Sequence, residues 1–168
     1  MRSPARIATL AVFISAAFVL ASFERLLPNP APMIRFGLGN IMTLVAFVVL
    51  GVRGGAWVTV GRVALVSLVW GGIFSPTAVL SAAGGACSLV IMVPMVKMGG
   101  RFSLYGISLA GAYAHVLGQL TVASFVYVGS AGLFVLLPFL GAAALVTGLF
   151  NAAIAGVLVR RYAVVSSQ

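Results

Sequence analysis

Long, uninterrupted apolar runs are the feature that most limits what this chain can fold into. Hydrophobic residues make up 62% of its 168 residues and charged residues only 7%, whereas about a quarter of an ordinary soluble domain is charged. A water-soluble globule of this size would not have enough polar groups to cover its surface. The runs therefore predict an all-α integral membrane protein.

Breaks that carry Pro, Gly or charge divide the chain into six such runs. A membrane-spanning helix needs about 20 apolar residues, so we predict six transmembrane helices in a single transmembrane domain over residues 1–168. The predicted helices cover about 7–23, 36–52, 56–74, 77–96, 104–128 and 133–159. The runs are continuously apolar rather than alternating, which argues against a membrane barrel.

The basic residues determine the predicted orientation. Ten Lys and Arg oppose one acidic residue, and they lie at the ends of apolar runs, which is typical of topology signals rather than of a nucleic-acid surface. With both termini in the cytoplasm, seven of them lie inside: Arg2, Arg6, Arg53, Lys97, Arg101, Arg160 and Arg161. Arg25 and Arg35 then lie outside. We expect Arg62, near the start of the third run, to snorkel toward the cytoplasmic surface.

The first run follows Arg2 and Arg6, as the apolar part of a secretory signal would. Ala21-Ser22-Phe23 makes a poor cleavage site, however, so we expect this run to be retained as a helix.

Polar side chains inside the apolar runs are the candidate functional residues, because they are costly to place in hydrocarbon. Ser108, His115 and Gln119 share one helical face of the fifth run, and Asn40 and Asn151 are deep amides in the second and sixth runs. These groups either contact a ligand or hydrogen-bond to neighbouring helices and only hold the bundle together.

Charged residues and prolines mark the loop after the first run as a second candidate. Glu24 is the only carboxylate side chain in the chain. It either neutralises Arg25 or Arg35 at the membrane surface, or belongs with them to a Pro-braced lid whose charges meet a polar or anionic head group. Small residues at Ala8, Ala11 and Ser15 form one face of the first helix. That face would dock within the fold or against a separate membrane subunit.

Several classes of activity lack the residues they require. The chain has no Asp, one Glu and one Cys, so it offers no disulfide framework, no metal site and no Asp-rich cluster to hold magnesium against pyrophosphate. It carries no Walker motif, and Gly37-Leu38-Gly39-Asn40 lacks the third Gly of a dinucleotide fingerprint. We therefore expect no cofactor and no catalytic role for the chain alone.

Six segments, taken in order, resemble the Gx transporter family, which is often labelled heptaprenyl diphosphate synthase component I. They are Phe23-Glu24-Arg25-Leu26-Leu27-Pro28, Arg35-Phe36-Gly37-Leu38-Gly39-Asn40-Ile41-Met42-Thr43-Leu44, Gly71-Gly72-Ile73-Phe74-Ser75-Pro76, Leu80-Ser81-Ala82-Ala83-Gly84-Gly85, Phe102-Ser103-Leu104-Tyr105-Gly106-Ile107-Ser108 and Ala114-His115-Val116-Leu117-Gly118-Gln119-Leu120. The chain departs from the family pattern at Val116, where Asn would follow the His.

This family is similar in size and topology to the S components of energy-coupling factor (ECF) transporters. The resemblance implies a six-helix bundle in the bacterial inner membrane that binds a small vitamin-, flavin- or isoprenoid-like substrate beneath an external lid. It implies a substrate site formed by Glu24, Arg25, Arg35, Asn40, His115, Gln119 and Asn151.

The same resemblance implies docking of Ala8, Ala11 and Ser15 on a coupling membrane subunit driven by two ATPase subunits. The family label implies the alternative, a noncatalytic membrane component of heptaprenyl diphosphate, menaquinone or redox-cofactor metabolism.

Overall fold

The computed structural model describes residues 4–26 and 36–166, which form a bundle of six α-helices. The helices are α1 (Pro4–Leu26), α2 (Gly39–Val49), α3 (Gly51–Trp70), α4 (Pro76–Lys97), α5 (Leu104–Val122) and α6 (Leu137–Ser166). The all-helical architecture predicted from the apolar runs is therefore confirmed. Arg35 and the three prolines of the predicted lid lie outside the described residues.

Five of the described helices are long and apolar enough to cross a membrane, namely α1, α3, α4 and the segments that contain α5 and α6. Their outward surfaces carry large apolar side chains, such as Val12, Leu68 and Val90, that are well exposed. A surface of this kind is suited to lipid rather than water. The chain is a multi-pass membrane protein whose apolar helices contact membrane lipid.

The second helix differs from its prediction. α2 has 11 residues and rises about 16 Å, about half the thickness of a hydrocarbon core. The chain turns at Leu50, whose carbonyl oxygen accepts a hydrogen bond from Arg6 Nη2 at 3.0 Å. The predicted break at Arg53-Gly54-Gly55 lies inside α3 instead. Gly55 is buried there against the Phe47 ring of α2. A Cβ would overlap this ring, so the glycine allows α2 and α3 to pack closely.

The fifth run extends as predicted to residue 128, but its last turn is wider than an α-helix. A π-helical turn (Ala123–Val128) follows α5, and Gly129 ends it in the left-handed conformation at a φ of 69°. A 3₁₀ turn (Ala131–Leu136) then leads directly into α6. This compact connection brings α6 back against α5, where Ser108 Oγ donates a hydrogen bond to the Gly148 carbonyl at 2.8 Å.

Glycines also bring α4 and α5 close together. A Cβ on Gly118 would lie 2.7 Å from Cys87 Sγ and 2.8 Å from the Ala83 carbonyl oxygen. Ser88 Oγ of α4 donates a hydrogen bond to the Gly111 carbonyl of α5 at 2.7 Å. Small residues and interhelical hydrogen bonds of this kind stabilise helix pairs in a membrane.

We expect Gly118→Ala to lower the free energy of unfolding by about 1–3 kcal/mol, because overpacking outweighs the better helix propensity of Ala. Gly106→Ala is the matched control on the same helix, since the nearest atom to its Cβ is Ser103 Oγ at 3.6 Å. Thermal unfolding of the purified variants in lipid nanodiscs measures both effects. Equal stability of the two variants would contradict close packing at Gly118.

Candidate functional site

Residues 36–40 lead into α2 and are called the junction segment here. Polar side chains from three other helices bond to this segment. Glu24 reaches it from α1, Arg62 from α3 and Asn151 from α6. The first residues of this segment are not helical. The Gly37 and Leu38 carbonyls accept from the Asn40 and Ile41 amides, but the Gly37 and Leu38 N–H groups need partners from elsewhere in the bundle.

Glu24 supplies acceptors for the backbone N–H groups of the junction segment. Its two carboxylate oxygens accept hydrogen bonds from the Gly37 and Leu38 amides at 2.8 and 2.9 Å. A carboxylate at this position satisfies free donors and interacts favourably with the positive end of the α2 dipole. Glu24 therefore fixes the start of α2, a role not among the alternatives drawn from the sequence.

Asn151 supplies donors for the carbonyl groups of the same segment. Its side-chain Nδ2 donates to the Phe36 and Gly37 carbonyl oxygens at 3.0 and 3.2 Å, and the residue is only 3% exposed. These two carbonyls determine the orientation of the amide, because a flipped amide would set an oxygen against both of them. Asn151 thus joins α6 to a segment more than a hundred positions away in sequence.

Arg62 points into the bundle. It does not snorkel toward the cytoplasmic end, which was the expectation from the sequence. Its Nη2 donates to Asn40 Oδ1 at 2.8 Å. The expectation was wrong because α3 begins at Gly51, which places Arg62 in the middle of the helix. Gly39 leaves room for the side chain, since a Cβ there would lie 2.6 Å from Arg62 Cδ.

A small cavity lies beside these contacts, among α2, α3, α4, α5 and α6. Its polar lining residues are Asn40, Thr43, Thr59, Arg62, Ser88, Ser108, His115 and Asn151. The volume of the cavity is about 20 Å³, enough for one or two waters. In this conformation it is therefore too small for a larger molecule.

The lining groups differ in how well they are satisfied. Thr59, Ser88 and Ser108 donate their hydroxyls to backbone carbonyls. Arg62 Nε and Asn151 Oδ1 are buried and have no hydrogen-bond partner among the described residues. Leaving such groups unpaired costs about 1–3 kcal/mol each, and more for a charged group. The site is therefore short of one acceptor and one donor.

His115 reaches the cavity from α5 because its neighbour on α4 is a glycine. A Cβ on Gly84 would lie 2.7 Å from the imidazole ring. Gln119, one turn further along α5, is not among the lining residues.

Of the predicted substrate-site residues, Asn40, His115 and Asn151 line the cavity. Glu24 bonds to the junction segment beside it. Arg25 is half-buried at the end of α1 and is not a lining residue, and Arg35 lies outside the described residues. Arg62 was missed as a site residue, although a charge inside an apolar run is itself a signal of function.

The small-residue face of α1 points away from the rest of the bundle. Ala8, Ala11 and Ser15 are exposed, whereas Ala17 on the other side of the helix is fully buried. In the described part of the chain, these three residues are therefore not packed inside the bundle. Within the described ranges, no three His, Cys, Asp or Glu side chains come together as a metal site would require.

We expect Glu24→Gln to loosen the junction segment, because one of the two acceptor oxygens is replaced by an amide donor facing backbone N–H groups. Hydrogen exchange at the Gly37 and Leu38 amides should accelerate by about tenfold or more. Thr9→Ala is the control on the same helix, since the Thr9 hydroxyl bonds only to the Ala5 carbonyl one turn earlier. Unchanged exchange in Glu24→Gln would show that the carboxylate does not hold this segment.

Comparison with known proteins gives one family. The family model described as heptaprenyl diphosphate synthase component I matches residues 13–158. No curated protein and no solved structure gave a match. Because the matched region covers most of the chain, including the junction segment and every residue that lines the cavity, this protein belongs to the heptaprenyl diphosphate synthase component I family.

Proposed function

We propose that this protein is the substrate-binding membrane subunit, or S component, of an ECF-type importer in the bacterial inner membrane. Its substrate is a small vitamin-, flavin- or isoprenoid-like compound, and both of its termini are cytoplasmic. The observation that carries the proposal is a polar cavity inside an apolar bundle, with Asn40, Arg62, His115 and Asn151 in its lining. Polar groups this deep in a membrane protein mark substrate sites.

The junction segment is the gate of this proposed site. It is held by side-chain hydrogen bonds from Glu24, Arg62 and Asn151, and Leu38 also packs against the apolar core. A cavity that admits one or two waters must enlarge before a vitamin-sized compound enters. In the proposed cycle the segment moves outward to admit the substrate, and it closes again when the substrate replaces the lost contacts.

The exposed face of α1 is the proposed docking surface for a coupling membrane subunit, which two ATPase subunits drive. Ala8, Ala11 and Ser15 offer a surface that lets another helix approach closely. The sequence contains no nucleotide-binding motif, so the energy for release of the substrate has to come from partner subunits.

The family description favours one alternative, a noncatalytic membrane component of heptaprenyl diphosphate, menaquinone or redox-cofactor metabolism. Catalysis by the chain itself is not part of either proposal. Its single carboxylate side chain, Glu24, is engaged with backbone N–H groups and does not line the cavity. Prenyl-diphosphate chemistry would therefore need a soluble partner that carries the acidic clusters.

Purification of the tagged protein from its own host membranes separates the two proposals. An importer subunit should bring down a large membrane subunit and two ATPases in stoichiometric amounts. The alternative should bring down a soluble prenyl synthase or redox proteins. Recovery of neither set at stoichiometric levels would contradict both proposals.

Substitution on the α1 face gives a sharper form of the same measurement. We expect Ala11→Trp to abolish co-purification of the membrane subunit, because the bulky ring blocks close helix approach. Val90→Trp on α4 is the control, since Val90 is also exposed, at 69%. Both variants should remain folded. Equal recovery of partners with both variants would exclude the α1 face as the docking surface.

We expect His115→Ala to weaken substrate retention by about five- to thirtyfold, the usual range for losing one buried hydrogen bond. Gln119→Ala should have a smaller effect, because Gln119 does not line the cavity. Native mass spectrometry of gently extracted protein measures the retained small molecule. Unchanged retention in His115→Ala would return this residue to a purely structural role in the α4–α5 pair.

A further inference from the structure

The guanidinium of Arg62 is the charged group in the lining of the cavity. Within the described residues its hydrogen bond goes to the neutral Asn40, while Glu24 directs both carboxylate oxygens to backbone N–H groups of the junction segment. Arg62 Nε is buried without a partner among the described residues. The cation therefore lies in the bundle without an anion bonded to it there.

Such an arrangement is energetically costly when the site is empty. Glu24 attracts this cation through space, but its oxygens are bonded to backbone N–H groups, and a buried charge without a hydrogen-bonded counterion destabilises a folded protein. A guanidinium offers five N–H donors in a planar fork, which matches the two oxygens of a carboxylate or phosphate. The structure thus has a cation whose geometry is complementary to an oxyanion and whose donors are largely unused.

We propose, on the basis of the importer function above, that the cavity receives the oxyanion of its ligand, a carboxylate or phosphate group, on Arg62. The oxyanion displaces or shares the contact with Asn40 and accepts from the remaining guanidinium donors. The ligand is therefore an organic anion rather than a neutral isoprenoid.

Asn151 adds a second element of specificity. Its Nδ2 is fixed on the Phe36 and Gly37 carbonyls, so its buried Oδ1 requires a donor that the described residues do not supply. A hydroxyl or N–H adjacent to the oxyanion satisfies this acceptor. Leu44 and Met92 contribute apolar lining, which fits a hydrocarbon portion of the same ligand.

Simple anions test the charge requirement without knowledge of the natural ligand. The full chain is purified into nanodiscs of zwitterionic phosphatidylcholine, and its thermal unfolding is measured against sodium phosphate and sodium acetate, with sodium chloride at matched ionic strength. A saturable rise in Tm with phosphate identifies a phosphate group, and a rise with acetate identifies a carboxylate. If neither anion raises the Tm beyond the chloride control, the proposal is wrong.

Substitutions then assign the effect to Arg62. We expect Arg62→Gln to weaken anion binding at least about tenfold, because a charge-assisted hydrogen bond is lost. Arg53→Gln is the control on the same helix, since Arg53 is exposed and does not line the cavity. Equal weakening in both variants would overturn the proposal by showing a nonspecific charge effect.

Asn40→Asp guards against the chance that Arg62→Gln fails to fold. The new carboxylate would lie at the present 2.8 Å contact with Arg62 and near the start of α2, where a negative charge is favourable. This variant should be at least as stable as the native chain yet lose the response to phosphate and acetate. An unchanged response would overturn the proposal.

The importer function has its own readout. Recovery of the coupling subunit and ATPases together with a retained neutral ligand would leave that function standing and reject only the oxyanion.

Discussion

Polar groups sheltered from water must find their partners inside the protein. In this bundle that requirement is greatest in the junction segment, residues 36–40. Non-helical backbone at membrane depth is tolerated only where the surrounding protein satisfies it. Glu24 binds the amides that precede α2, and Asn151 binds the carbonyls. Side chains from α1 and α6 replace helical hydrogen bonds before Gly39, where α2 starts, and the turn at Leu50 ends the helix after 11 residues.

Glycines decide where the long polar side chains of this site lie. Gly39 makes room for Arg62, and Gly84 makes room for His115. With a Cβ at either position, the cation or the imidazole would have to leave its present place. Small residues allow helices to approach closely in any membrane protein. At these two positions they also admit a long polar side chain between helices, so they shape the cavity as well as the packing.

Much of the helical architecture follows from the sequence, because apolar runs of membrane length leave few alternatives. The ends of α4 and the start of α5 lie within one or two residues of their predictions. The predicted boundary between α2 and α3 was wrong, since Gly54-Gly55 has the composition of a loop, but Gly54 faces Leu50 and Gly55 faces Phe47 inside the helix pair. Hydropathy alone does not distinguish a glycine that breaks a helix from one that lets another helix approach.

Part of the lining of the candidate site was also predicted from the apolar runs. Asn40, His115 and Asn151 were identified because polar residues are rare in apolar runs, and all three line the cavity. The roles of Glu24 and Arg62 depended on information that the sequence does not contain locally. Glu24 bonds to backbone groups, which carry no side-chain signature, and Arg62 was assigned to a helix end because the start of α3 was placed five residues too late.

The contacts that close the cavity involve the same groups that the proposed ligand would engage. Arg62 now bonds to Asn40 in the junction segment, and in the proposed cycle an oxyanion on the guanidinium replaces this contact when the segment closes. A donor that reaches Asn151 Oδ1 acts on the residue that ties α6 to the same backbone. Ligand binding and movement of the junction segment are therefore energetically coupled. In the proposed importer, a subunit without its own energy source would need this coupling, since recognition of the substrate and closure over it then form a single equilibrium.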